Sequence, residues 1–280
     1  MLSYQHAYHA GNFADVLKHV VLQRTLKHLK LKANPLCYID THAGSGHYKL
    51  NGSEAQKNKE YLNGIDSLWL RDDLPDILTD YVNLIKQFNH SKQLTHYPGS
   101  PLIASKLLGD NDRLFLYELH TSESRLLTEA IKKDKRIKIF RANGLQDSLG
   151  LLPPKERRGL ILIDPSYEIK NEYQVVVDAI KEMTKRFTTG CYCLWYPVVA
   201  RKRNQYIERA LIASGIKNIQ LFELGLQPDS DEFGMTACGM IVINPPWTLF
   251  TEMQQILPWL VDALAQPNQG FYRVEQLVAE

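Results

Sequence analysis

Seven apolar runs along the chain have the length of strands, at residues 36–40, 114–118, 137–140, 160–164, 190–196, 219–225 and 239–243. Most of the gaps between them are long enough for one crossover helix. Such gaps predict parallel strands with helices on both faces of the sheet. The pattern therefore predicts an α/β fold with a seven-stranded, mostly parallel sheet.

Two segments depart from this alternation. Between Leu226 and Cys238 the chain has turn residues and no helical pattern, so the last two strands should form an antiparallel hairpin. Residues 51–97 have helical periodicity and no strand-like run, which predicts an inserted helical subdomain. The Rossmann-like domain would then comprise residues 1–50 and 98–280. Seven strands with an antiparallel end are typical of Rossmann-like methyltransferases, which is a likeness of fold alone.

A helix should precede the first strand. Apolar residues recur at helical spacing from residue 13 to residue 21, Asn12 is placed to cap the first turn, and Asp15 suits the positive end of the helix dipole. Residues 1–32 carry five basic side chains against one acid, although the net charge of the chain is only +2. This local excess suits a partner with phosphates, but a solvated helix face would have the same composition.

The composition narrows the class of protein. With 280 residues and 44% hydrophobic content, the chain can bury a sizeable core. Its four cysteines form no CxxC pair and no cluster with zinc-ligand spacing, which favours buried free thiols in a reducing compartment. The N-terminus lacks the apolar region of a signal peptide, and no stretch approaches the roughly 20 apolar residues of a membrane span. We expect a cytoplasmic monomer that binds neither membrane nor metal.

A glycine-rich turn follows the first strand, in the sequence DTHAGSG at residues 40–46. Gly44 and Gly46 let the backbone turn sharply and approach a ligand closely. Lys49 occupies the position of the third glycine in a dinucleotide fingerprint, so the motif fits S-adenosylmethionine better than a nicotinamide cofactor. An ordinary tight turn would also explain these glycines.

Three further positions become candidates if this turn binds a cofactor. Glu118 ends the second run, where a carboxylate can accept hydrogen bonds from ribose hydroxyls. Ser100 is expected to be a helix N-cap that could also hold the methionine carboxylate. The Asn143-Gly144 pair follows the third run, where an amide could meet the adenine edge, although an ordinary turn has the same sequence.

Two tetrapeptides could serve an amino-methyltransferase, Asp164-Pro165-Ser166-Tyr167 and Asn244-Pro245-Pro246-Trp247. In each, an Asp or Asn oxygen and a main-chain carbonyl can accept the two protons of an exocyclic amine, and an aromatic ring can stack on the base. The strand before Asp164 should flank the first strand at the switch point of the sheet. We therefore favour Asp164 and interpret the second tetrapeptide as a structural turn.

The segments MLSYQHAYHAGNFADVLKH, DTHAGSGHY, YPGSPLIA, LYELH, RRGLILIDPSYE, LWYPVV and GMTACGMIVINPPW together resemble the RlmJ family of 23S ribosomal RNA adenine-N6 methyltransferases. The resemblance implies a Rossmann-like methyltransferase that uses S-adenosylmethionine and has 23S ribosomal RNA as its partner. It assigns cofactor-site positions to His19, His42, Ser100, Glu118, Asn143, Gly144 and Asp164, which join Gly44 of the glycine turn. It assigns catalysis to Asp164 and RNA contact to Tyr4, His6 and Lys18. Pro165 and Tyr167 remain catalytic candidates from the chemistry of the tetrapeptide.

The chain departs from the family pattern at two positions. Ser166 stands where the pattern DPPY has a second proline, and Asn143 stands where the family has an aspartate before Gly144. An amide accepts a hydrogen bond without charge assistance, so cofactor affinity should be lower. Two alternatives stay open: a DNA adenine methyltransferase, for which no target-recognition domain is evident, and a nucleic-acid-binding protein on a catalytically weakened fold.

Overall fold

The computed structural model describes residues 4–131, 134–230 and 234–280. The strands in these ranges are β1 (Cys37–Asp40), β2 (His47–Lys49), β3 (His96–Pro98), β4 (Arg113–Tyr117), β5 (Ile137–Phe140), β6 (Gly159–Ile163), β7 (Cys191–Val198), β8 (Ile219–Gly225), β9 (Ala237–Ile243) and β10 (Phe271–Val278). The α-helices are α1 (Phe13–Leu29), α2 (Ser53–Asn58), α3 (Ile65–Trp69), α4 (Asp76–Lys86), α5 (Ser100–Leu107), α6 (Thr121–Ile131), α7 (Gly144–Asp147), α8 (Glu172–Arg186), α9 (Arg201–Ile212) and α10 (Leu249–Leu264).

The main sheet has the strand order β10-β8-β9-β7-β6-β1-β4-β5. Five adjacent strands, β7, β6, β1, β4 and β5, are parallel to one another, whereas β9 is antiparallel to both β7 and β8. The predicted fold class and the terminal hairpin of β8 and β9 are therefore confirmed. Because the chain moves outward from β1 in one direction and then in the other, the switch point lies between β1 and β6.

The predicted number of strands was wrong by one, because β10 pairs antiparallel with β8 and makes the sheet eight-stranded. This edge strand has the sequence FYRVEQLV, in which no residue is fully buried. An edge strand has one unpaired side and needs no continuous apolar run, so its sequence carries a weak signal.

Two layers of helices cover the sheet. Alternate side chains of β1 point to opposite faces, so Tyr38 packs in the cluster with α1, α4, α5 and α10, whereas Ile39 packs with α8 and α9. Helix α1 begins as predicted, with the Asn12 side chain accepting a hydrogen bond from the Asp15 amide at 3.0 Å. Most of α1 is buried, which brings its polar residues inside the protein.

The segment 51–97 contains α2, α3 and α4, as its periodicity indicates, and a short antiparallel ladder of β2 and β3 closes its base. The prediction that no strand enters this segment was wrong, since β3 begins at His96. The buried side chains of α3 and α4 share one core cluster with α1. We retain the division into a Rossmann-like domain of residues 1–50 and 98–280 and a helical subdomain of residues 51–97 as a proposal.

Within the described ranges, no helix combines the length and the apolar character that crossing a membrane requires.

Candidate active site

The carboxyl ends of β1, β4, β5 and β6 meet at one edge of the sheet, as parallel strands must. A cavity of about 440 Å³ opens there, and the N-terminal segment and α1 close one side of it. Twelve of the thirteen predicted site residues line this cavity: Tyr4, His6, Lys18, His19, His42, Gly44, Ser100, Glu118, Asn143, Gly144, Asp164 and Pro165. The structure thus brings together residues that are up to 161 positions apart in the sequence, from Tyr4 to Pro165.

Asp40, which ends β1, organises the start of the glycine turn. Its buried carboxylate accepts hydrogen bonds from the Tyr38 hydroxyl at 2.8 Å and from Ser100 Oγ at 2.7 Å. Burial raises the pKa of Asp40 to about 6, against the opposing effect of these hydrogen bonds. The prediction that Ser100 caps a helix was wrong: Gly99 is the N-cap residue of α5, and the Ser100 hydroxyl donates to Asp40 instead.

Glu118 holds the glycine turn in place from the neighbouring strand. Its two carboxylate oxygens accept hydrogen bonds from the Gly44 amide at 2.9 Å and from the His120 amide at 2.7 Å. Burial raises the pKa of Glu118, and these amides act in the opposite direction. Each oxygen retains a second lone pair, and Glu118 lines the cavity, so the carboxylate can still accept a hydrogen bond from a ligand hydroxyl.

Gly44 has a φ of 59°, in the left-handed region that favours glycine. A Cβ at this position would lie 2.4 Å from the Tyr48 hydroxyl. The sharp backbone turn at Gly44 is as predicted, and the contact with Tyr48 is a second reason for glycine that the sequence did not show. Gly144 has a comparable constraint, since a Cβ there would lie 2.2 Å from the carbonyl oxygen of Thr41.

Asn143 lies where the sequence predicted, after β5, and caps the short helix α7 by accepting a hydrogen bond from the Leu145 amide at 3.1 Å. Capping accounts for one acceptor site of the Asn143 amide and leaves its NH₂ group as a donor. Asn143 therefore serves the turn and also lines the cavity.

Two of the histidines that line this cavity, His19 and His42, are held neutral. Burial lowers the pKa of His19 to about 3 and that of His42 to about 4. A hydrogen bond of 2.7 Å joins His19 Nδ1 to the Tyr97 hydroxyl, and another of 2.8 Å joins His42 Nδ1 to Thr41 Oγ1. Both rings are therefore fixed as uncharged hydrogen-bonding groups.

Lys18 lies between two carboxylates at the centre of the site. Its ammonium is 2.6 Å from Asp164 Oδ2 and 2.8 Å from Asp15 Oδ1, and the side chain is only 6% exposed. Burial acts to lower the pKa of Lys18, but the two carboxylates outweigh it and hold the pKa well above its usual range. Lys18 therefore orients Asp164, a contact that the sequence did not indicate.

The N-terminal segment connects to the same cluster through histidine. The Tyr4 hydroxyl lies 2.9 Å from His6 Nδ1, and His6 Nε2 lies 2.8 Å from Asp15 Oδ2. Burial acts to raise the pKa of Asp15, but the charges of His6 and Lys18 outweigh it and hold the pKa well below its usual range. Asp15 thus links His6 to Lys18, so that a chain of hydrogen bonds and ion pairs runs from Tyr4 to Asp164.

The basic residues of α1 are neutralised in the structure. Beyond Lys18, the ion pairs of this helix and its C-cap residue Lys30 are Arg24–Glu252 at 2.8 Å, Arg24–Asp80 at 3.4 Å, Lys27–Asp80 at 2.6 Å and Lys30–Asp112 at 2.8 Å. Their acidic partners come from distant parts of the chain, so the basic excess of residues 1–32 does not remain as a positive surface along α1. The sequence could not show whether these basic side chains form a positive surface or pair with acids of the same chain.

A second cavity, of about 550 Å³, adjoins the first. The two cavities share six lining residues: Tyr4, His6, Lys18, Asp164, Ser166 and Trp195. Asp164 therefore lies at the junction, with access to both spaces. Asn244 is not among the described residues that line these two cavities. Its side chain donates to the carbonyl oxygens of Thr188 and Gly190, at the opposite edge of the sheet.

Tyr167 lies in the wall of the second cavity only. Its ring is buried against Tyr173, with centroids 4.5 Å apart, and its hydroxyl donates to the carbonyl oxygen of Trp195 at 2.9 Å. In this conformation Tyr167 offers little ring surface for stacking on a base. Tyr4 and Trp195 line both cavities, and the position of Trp195 within the LWYPVV segment was the available sequence signal for it.

Comparisons with known proteins show the family of this chain. Residues 33–278 match the family described as Ribosomal RNA large subunit methyltransferase D, RlmJ. Proteins named Ribosomal RNA large subunit methyltransferase J are 50% identical over 281 residues in Haemophilus influenzae and 51% identical over 280 residues in Escherichia coli, each covering 100% of both chains. A Legionella pneumophila crystal structure with 41% identity superposes with a TM-score of 0.89, covering 96% of this chain and 98% of that chain. The chain belongs to the RlmJ family of ribosomal RNA large subunit methyltransferases.

Proposed function

We propose that the protein transfers a methyl group from S-adenosylmethionine to the N6 amine of an adenine in 23S ribosomal RNA. The observation that carries this proposal is the position of Asp164 at the junction of two cavities, each within the size range of small-ligand sites. One cavity would hold the cofactor and the other the extruded adenine. Family membership supports ribosomal RNA as the substrate class.

The first cavity fits the chemistry of S-adenosylmethionine. It is lined by carboxylates, among them Glu118, Glu123 and Asp164, which suit a ligand with an ammonium and a sulfonium group. Glu123 Oε2 is buried without a hydrogen-bond partner in the described structure, so it can accept from a bound ligand. Apolar side chains such as Leu119 and Ile169 can enclose the adenine ring of the cofactor.

The second cavity fits a base that has left its stack. Aromatic side chains line it, including Tyr4, Tyr173 and Trp195, and proteins use such rings to hold splayed RNA bases. The adenine amine would then reach Asp164 from one side while the cofactor lies on the other. Bound there, the cofactor supplies an electrophilic methyl group on its sulfonium.

The residues at the junction would orient the amine. Lys18 binds Asp164 Oδ2, which fixes the carboxylate and leaves Oδ1 to accept one N6 proton. The main-chain carbonyl of Pro165 can accept the other, so that the nitrogen lone pair points toward the methyl group. One proton must leave N6 after transfer, and Asp164 is placed to accept it.

The test is methyl transfer to 23S ribosomal RNA from cells lacking this activity, followed by digestion to nucleosides. Wild-type protein should produce N6-methyladenosine. At saturating cofactor, Asp164→Ala should reduce the rate by about two orders of magnitude or more, the scale expected when a positioning or proton-accepting group is lost. A normal rate in a folded Asp164→Ala protein, or methylation at a different atom, would contradict the proposal.

A further inference from the structure

The positive charges around the two cavities are few, and their partners differ. Among the described residues, Lys18 and Arg203 are the lysine and arginine side chains that line either cavity. Lys18 is neutralised by Asp15 and Asp164. An RNA nucleotide held in the second cavity carries phosphates on both sides, and Lys18 has no free charge to offer them.

Arg203, unlike Lys18, is not paired with a carboxylate among the described residues. It lies in the first turn of α9, is half-buried, and lines the second cavity. No carboxylate of the described residues lies within 4.0 Å of its guanidinium. In contrast, Arg201 on the same turn binds both Glu223 and Asp229, at 2.7 Å each. The charge of Arg201 is therefore compensated by two carboxylates of the fold. The charge of Arg203 is left at the cavity wall without a carboxylate partner among the described residues.

The guanidinium of Arg203 is supported by an aromatic ring. Its central carbon lies 5.6 Å from the ring centroid of Tyr173, which in turn packs against Tyr167 of the Asp164–Tyr167 loop. Burial raises the pKa of Tyr173, and the nearby charge of Arg203 opposes this effect. The contacts with Tyr173, which include a side-chain hydrogen bond, restrict the orientation of the guanidinium, and its remaining donors allow a paired contact with two phosphate oxygens.

We propose that Arg203 binds a backbone phosphate adjacent to the target adenosine and so sets the position of the RNA at the second cavity. This inference rests on the proposed function, because it takes the occupant of that cavity to be a nucleotide of the substrate RNA. Arg203 contributes to RNA affinity through this contact, while the chemistry at N6 stays with Asp164.

The experiment compares Arg203→Ala with Arg209→Ala, which removes the same charge from an exposed position on the same helix, away from both cavities. Binding of an unmodified full-length 23S ribosomal RNA transcript is measured over a range of potassium chloride concentrations. Arg203→Ala should lower the slope of log affinity against log salt by about 0.7 to 1, and Arg209→Ala should leave it unchanged. Arg203→Lys should retain the slope with weaker binding, because charge remains without the paired contact.

Methyl transfer to the same transcript separates the possible failures. In Arg203→Ala, KM for RNA should rise about tenfold, with kcat within about twofold of wild type. If kcat falls while the salt slope matches that of Arg209→Ala, Arg203 acts only through Tyr173 and the proposal is overturned. Equal slope and KM in the two variants would overturn it as well. Absence of transfer by wild-type protein would instead contradict the proposed function, whereas the salt slope tests the phosphate contact independently of transfer.

Discussion

The left-handed turn at Gly44 makes a prediction whose size follows from two distances. In Gly44→Ala, the new Cβ would lie 2.4 Å from the Tyr48 hydroxyl oxygen, but 3.8 Å from the ring carbon that bears it. The steric conflict therefore involves the hydroxyl alone. Alanine at positive φ costs about 1–2 kcal/mol by itself, and displacing the hydroxyl of a buried tyrosine adds about 1 kcal/mol.

Removing that hydroxyl should remove the second cost. We expect Gly44→Ala to lower the free energy of unfolding by about 2–3 kcal/mol in the wild-type background and by about 1–2 kcal/mol in a Tyr48→Phe background, a coupling of about 1 kcal/mol. Urea unfolding of the four proteins measures this coupling. Gly215→Ala is the matched control, since Gly215 has a φ of 81° and a Cβ there meets nothing within 4 Å.

The same steric conflict at Gly44 should also weaken binding of the cofactor. Isothermal calorimetry with S-adenosylmethionine should show weaker binding to Gly44→Ala and partial recovery in the Gly44→Ala, Tyr48→Phe double variant, because the turn regains its shape. If Gly44→Ala costs the same in both backgrounds, the turn does not meet Tyr48 as described. Unchanged cofactor affinity in every variant would remove the glycine turn from the binding site.

Three other substitutions test separate features. Asn244→Ala should cost about 2–3 kcal/mol in urea unfolding, from two lost hydrogen bonds and alanine at a φ of 50°, with normal kcat at the distant active site; a folded but inactive protein would refute this. Lys18→Met should lower the free energy of unfolding by about 3–5 kcal/mol, because it leaves Asp15 and Asp164 without their shared cation; a wild-type urea midpoint would contradict the ion-pair geometry. The pKa of Asp15 is lowered in the folded state, so its contribution to stability is present above pH ~4 and is lost as the pH falls through the folded pKa. Between pH ~3 and ~6, the free energy of unfolding of Asp15→Asn should therefore depend less on pH than that of the wild type. An equal pH dependence in the two proteins would refute the assignment.

The sequence predicted those parts of the site that depend on strand order. Asp164, Glu118 and Asn143 each follow an apolar run, and parallel strands place such residues at one edge. The same reasoning separated Asp164 from Asn244, which lies at the opposite edge because β9 runs antiparallel. These predictions needed only the direction of each strand, which gap length and turn composition indicate.

Other features depend on contacts between distant residues and had no local signal. Lys18 is an ion-pair partner of Asp164, 146 positions away, and nothing in the basic segment around it predicts this pairing. Ser100 has the sequence context of a cap, yet a buried acceptor at Asp40 determines its hydrogen bond. Tyr167 was expected to stack on a base, whereas its ring packs into the core beside Tyr173. In each case a tertiary partner outweighs a local preference.

The ion pairs of α1 also have a consequence for how the chain folds. Partners of this helix come from residues 80, 112, 164 and 252, so its charged side chains find their counterions only when most of the chain has been assembled around it. We therefore expect α1 to complete its ion pairs late in folding. Such non-local pairing slows folding and couples the helical segment, the sheet and α10 in one cooperative unit. Equilibrium unfolding should therefore show a single transition, with probes in α4 and α10 changing together.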